Sequence, residues 1–129
     1  MAFSLGAIGQ IAIGVADVDR AEDFYGARLG LRKVFRFGDL CFYDCAGVRL
    51  LVEKAAEGAP RAGSPIYFRV ADIALARREL ESRGVSFVDE IHLIAPMEDH
   101  DLWMTFFTDP DGHIRALMME APKGYQPAP

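Results

Sequence analysis

The sequence predicts an α+β fold in which two tandem βαβββ modules form curved mixed sheets around a shared concave cavity. The first sign is a repeat. Residues 10–18 read QIAIGVADV and residues 65–73 read PIYFRVADI, two alternating apolar segments that end in Val-Ala-Asp at an offset of 55 residues. The second sign is order: each segment leads into a helical pattern closed by a glycine and then into three strand-like runs. The third is scale. A chain of 129 residues with 51% hydrophobic and 26% charged residues has the material for one domain.

In the first module, Asp19 followed by Glu22 reads as a capping box. Ala21, Phe24, Tyr25, Arg28 and Leu29 continue at helical spacing, and Gly30 supplies the stop. Strand-like runs then occupy Leu31–Phe37, Leu40–Asp44 and Val48–Glu53, divided by turn signals at Gly38-Asp39 and Ala46-Gly47. In the second module, Asp72 caps a helix carrying Ile73, Leu75, Ala76 and Leu80, and Gly84 ends it. Its strand-like runs are Val85–Ala95, His100–Thr108 and His113–Glu120, with Asp109-Pro110-Asp111-Gly112 as a tight turn. Module one thus covers about 7–54, an Ala/Gly/Pro-rich linker 55–64, module two about 65–121, and a loose tail 122–129.

The net charge of −5 argues against nucleic acid, which wants a basic face, and against an anionic membrane surface. No uninterrupted apolar stretch reaches the roughly 18 residues that a membrane span needs. The apolar start lacks the charged n-region of a secretory signal and reads as a buried strand. Cys41 and Cys45 stand roughly 13 Å apart on an extended strand, too far for a disulfide. Two thiols and no export signal fit the cytoplasm.

Alternation separates the faces of each sheet. Ile11, Ile13 and Val15 face the first helix, so Gln10, Ala12 and Gly14 face away. Ile66, Phe68 and Val70 face the second helix, so Pro65, Tyr67 and Arg69 face away. Arg49, Leu51, Ile114, Ala116 and Met118 join the set directed at the cavity, a mostly apolar lining with few polar groups. Arg49 and Arg69 have the fork geometry to hold a ligand carboxylate, or else pair with acidic neighbours.

Val15-Ala16-Asp17 with Phe24-Tyr25 and Leu29-Gly30-Leu31, then Val70-Ala71-Asp72 and Phe107-Thr108-Asp109-Pro110-Asp111-Gly112, resemble the vicinal oxygen chelate superfamily. That family includes glyoxalase I, extradiol dioxygenases and the bleomycin- and fosfomycin-resistance proteins. The resemblance covers about residues 7–121 and implies a single glyoxalase/bleomycin-resistance-like domain, a homodimer, and metal-ligand slots on the first and last strands of each module. Carried over, those slots are Gln10, Leu51, Pro65 and Ala116. One amide and three apolar side chains are a poor donor set for Zn²⁺ or Fe²⁺, so no metal and no other cofactor is expected.

The segment from His92 to Met104 resembles a stretch found in bacterial members of the superfamily. In one reading His100 and Trp103 line the cavity mouth, Trp103 as an apolar wall and His100 as a hydrogen-bond partner or the candidate acid–base group, with His92 in the candidate ligand-binding set. In the other Trp103 is core, His100 a polar loop residue and His92 a half-buried strand position. His113, after the tight turn, reads as exposed. The function expected is binding of a small organic molecule in an apolar cavity. The rival is a lyase, isomerase or dioxygenase with a non-standard site using His92, His100, Glu53 or Glu120.

Overall fold

The structure, a computed structural model, describes residues 3–56 and 63–128. Of the expected linker 55–64, residues 57–62 lie outside the described residues. Contacts divide the chain into two compact units, Met1–Ala59 and Pro60–Pro129. Each unit is a βαβββ module with one four-stranded mixed sheet.

In the first unit the elements are β1 (Gln10–Val15), α1 (Val18–Glu22) with a π-helical continuation over Asp23–Arg28, β2 (Arg32–Phe37), β3 (Leu40–Cys45) and β4 (Val48–Lys54). The sheet order is β1-β4-β3-β2, with β1 parallel to β4 and the other pairs antiparallel. The N-cap is Asp17, whose carboxylate accepts from the Arg20 amide at 3.2 Å. The expected Asp19–Glu22 capping box does not form, because Glu22 turns to Lys33 (3.1 Å) and Arg36 (3.0 Å) on the sheet. The π turn is wider than an α turn. Phe24 and Tyr25 on this turn are both buried. Their rings meet edge to face at 5.2 Å, and Tyr43 donates its hydroxyl proton to the Glu22 carbonyl at 3.3 Å. Gly30, at φ 78°, closes the helix as expected.

A β-bulge in β2 lies between Lys33 and Phe35. Two residues of β2 there oppose one step of β3, so Lys33 pairs with Tyr43, Phe35 with Phe42 and Arg36 with Cys41. Lys33 and Arg36 therefore share the helix-covered face and reach the same glutamate, although three positions separate them.

The second unit holds β5 (Ile66–Arg69), α2 (Ile73–Ser82), β6 (His92–Pro96), β7 (Asp101–Thr108) and β8 (Ile114–Ala121), in sheet order β5-β8-β7-β6. Asp72 caps α2 through the Leu75 amide at 3.1 Å, and Gly84, at φ 85°, follows its end. Ile73, Ala74 and Leu80 form the buried side of that helix.

Three expectations for this unit are corrected. The run Val85–Ala95 is not one strand: β6 begins only at His92, and Phe87 makes an isolated bridge to Phe107. The cause is Asp89, whose carboxylate accepts from the Phe106 amide (2.8 Å) and the Thr105 hydroxyl (3.0 Å), where a ladder bond would otherwise lie. Arg77 braces the same place by donating to the Asp89 carbonyl (2.6 Å) and Thr105 (2.7 Å). His113 is not exposed but buried, its Nδ1 2.8 Å from the Asp109 carboxylate, which also accepts from the amides of Asp111 and His113. The fully buried Arg115 stands 4.0 Å from the same carboxylate. Finally, the tail is tied down. Asp101 accepts from Lys123 Nζ (2.8 Å) and the Gly124 amide (3.1 Å), and the Tyr125 ring packs edge-on against Trp103 at 6.0 Å.

Candidate functional site

Each sheet has one face under its helix and one open face. On the first sheet the covered face holds Ile13, Val15, Cys41, Tyr43, Leu50 and Val52, all buried. Strand pairing then arranges the open face in three rows. The first is Gln10, Arg49, Asp44 and Arg32; the second is Ala12, Leu51, Phe42 and Phe35; the third is Gly14, Glu53, Leu40 and Phe37. Phe35 stacks on Phe42 with ring centres 4.7 Å apart and planes 20° apart, and the Arg49 guanidinium lies 5.8 Å from the Phe42 ring centre. Phe35 and Phe37 remain 51% and 72% exposed, so this slab offers apolar area to something else.

The three phenylalanines were not among the expected site residues. Alternation of Leu40, Phe42 and Asp44 against the buried Cys41 and Tyr43 signals Phe42. Phe35 was hidden because strict alternation fails at the bulge.

On the second sheet the open face carries Tyr67, Ala116 and Phe106 in one row, and Arg69, Met118, Met104 and His92 in the next. Tyr67 and Phe106 meet edge to face at 5.9 Å across Ala116, which is fully buried. Arg69 is engaged by Glu120 at 2.8 Å. His92 lies over Phe106 (ring centres 6.3 Å apart) and donates from Nδ1 to the Glu90 carbonyl at 2.8 Å.

The sequence-picked set therefore divides. Gln10, Arg49 and Leu51 lie together on the first open face. Tyr67, Arg69, His92, Ala116 and Met118 lie together on the second. Trp103 does not belong with either: β7 directs it to the covered face, where it is 8% exposed against Tyr125. Its Nε1–H has no hydrogen-bond acceptor among the described residues.

His100 sits at the β6–β7 hairpin tip, its Nδ1 2.7 Å from the Asp99 carboxylate, and this bond holds the Asp99 carboxyl below its ordinary range. His92 pairs with Met104, four residues along β7 from His100, so the two imidazoles stand about 13 Å apart by strand rise and do not converge. Burial holds the Cys41 and Cys45 thiols above their ordinary pKa, which leaves neither as a ready nucleophile.

The four slots inherited by resemblance do not suit a divalent cation. Gln10 has the permanent cation Arg49 as its cross-strand neighbour, Leu51 offers only carbon, Pro65 has no side-chain donor, and two aromatic rings meet over Ala116. Among the described residues no three His, Cys, Asp or Glu side chains are placed to share an ion. Nor is any helix among them long and apolar enough to cross a membrane.

Solved structures share this fold. One described as an integron cassette protein from the mobile metagenome of V. cholerae is 15% identical with a TM-score of 0.77, covering 94% of this chain and 100% of that one. A glyoxalase/bleomycin resistance protein/dioxygenase superfamily member from Sphaerobacter thermophilus is 26% identical, TM-score 0.73, covering 90% and 98%. A glyoxalase-related enzyme from Fulvimarina pelagi is 25% identical, TM-score 0.72, covering 89% and 88%. No curated protein shows significant sequence similarity to the chain. A family model matches residues 7–117, most of both βαβββ repeats, and by that match the chain belongs to the Glyoxalase/Bleomycin resistance protein/Dioxygenase superfamily.

Proposed function

We propose that this chain binds a small organic molecule on an open, largely apolar sheet face, without the divalent metal its superfamily often uses. The observation that supports the reading best is the first sheet's open face: a stacked Phe35–Phe42 pair, exposed Phe37 and a guanidinium beside them. Apolar area with few polar groups is the usual character of a ligand site. The proposal extends to a cytoplasmic homodimer, with neither nucleic acid nor membrane as partner.

Catalysis by His92, His100 or Glu120 gains no support, since Glu120 is engaged by Arg69 and the two imidazoles lie apart.

Two measurements test the reading. Elemental analysis and native mass spectrometry of protein purified without chelator should find no bound transition metal. About one equivalent of Zn, Fe, Mn or Ni per chain would overturn the metal-free assignment. Ligand-observed NMR with indole, a neutral aromatic probe, should show saturable binding that Phe42→Ala weakens. Absence of any such binding overturns the site.

A further inference from the structure

We propose that the first sheet's open face takes a monoanionic aromatic carboxylate, its carboxylate on Arg49 and Gln10 and its ring on Phe42 and Phe35. This deepens the reading of that face as a ligand site and rests on it. Arg32 of the first row is paired with Asp44 at 3.3 Å, and Arg69 of the other unit with Glu120 at 2.8 Å. Arg49 lies directly across from Asp44, yet the other Asp44 oxygen is occupied by the Gly47 amide at 3.2 Å. Among the described residues no carboxylate lies within ion-pair distance of the Arg49 guanidinium. Its donors are presented beside the Gln10 amide on the same row. A guanidinium held over an aromatic ring keeps its N–H edge free for a planar anion, and carboxylate matches that edge with two parallel hydrogen bonds.

Spacing sets the size of the ligand. Successive rows are two residues apart along the strands, about 7 Å. A carboxylate at the first row therefore places a ring one short linker away over the second, on the stacked phenylalanines. Glu53 in the third row repels a second carboxylate at the far end, which favours monoanions over diacids.

The test uses 3-phenylpropanoate, its uncharged amide and indole, titrated by ligand-observed NMR and calorimetry against the full chain. Expected is saturable binding of 3-phenylpropanoate, weakened about tenfold in the amide and in Arg49→Gln, while Arg78→Gln on α2 changes nothing. Circular dichroism of Arg49→Gln should match the parent, since the side chain is exposed. If indole binds and Phe42→Ala weakens it, yet the acid and amide bind equally, the carboxylate assignment is overturned while the ligand-site reading stands. If none of the three probes binds, both fall. If Arg49→Gln changes the sedimenting mass instead of the affinity, the face belongs to a second copy of the chain and the inference is wrong.

Discussion

Arg49 on the first sheet lies over an aromatic ring with no carboxylate partner among the described residues, whereas Arg69 on the second is held by Glu120. The same contrast appears at the turns into the last strands. Asp44 accepts one amide bond at the surface before β4, while Asp109 before β8 is buried with two amides, His113 and Arg115 around it. A duplicated topology thus has its charges distributed in two ways: one copy leaves polar capacity on its open face, and the other encloses it under its helix. Shared strand order fixes where a side chain can point, and the neighbour it meets decides whether that side chain is available for a ligand.

The turns offer the largest test of this contrast. Asp109→Ala removes a buried carboxylate from two amides, His113 and the neighbouring Arg115, and should cost about 3–5 kcal/mol in urea unfolding, against less than about 1 kcal/mol for Asp44→Ala. Equal losses would erase the distinction. Trp103→Ala should come next, at about 3 kcal/mol, because it empties a covered position and releases the Tyr125 contact. Binding of 3-phenylpropanoate should stay unchanged in that variant, whereas Phe35→Ala should weaken binding with little effect on the melting temperature. Glu120→Gln should then free Arg69 and add a second, weaker carboxylate site, read by calorimetry as a rise in stoichiometry.

The smallest effect is electrostatic. Hydrogen bonds from Lys33, with Arg36 adding to them, hold the Glu22 carboxyl below its ordinary value of 4.5. A depressed folded pKa stabilises the fold fully above the unfolded value and loses that contribution as pH falls through the folded one. The stability gap between the parent and Glu22→Gln should therefore be present at neutral pH and close in acid, as followed by urea midpoints.

Much of this architecture was legible in the sequence because period-2 apolarity, the Asp72 cap and Gly30 and Gly84 all act locally. The strand-to-strand repeat and the covered faces follow from the same signals. What escaped was decided by strand pairing, side-chain partners and depth, none of which a local period shows. Val34 adds a residue to β2 that alternation has no means of showing, so Phe35 and Arg36 fall on the opposite sides from a strict count. Asp89 replaces main-chain pairing with its carboxylate, which looks from sequence like ordinary polar content in a strand. His113 looked like a turn-tip residue because turn signals say nothing of depth, and the buried Asp109–Arg115 environment is tertiary. On the first open face, alternation put Gln10, Arg49 and Leu51 on one side of the sheet, as strand pairing does, but did not show the aromatic slab beside them.

Trp103 is the only indole in the chain, and it sits where Tyr125 folds back onto β7. Its emission is thus an intrinsic optical gauge of whether the C-terminal residues are seated. Because the indole is on the far side of its own sheet from Tyr67 and Met118, quenching or a red shift registers undocking of that segment and stays silent to events on the opposite surface. Fluorescence can therefore follow a tagged or shortened C-terminus while calorimetry follows the ligand.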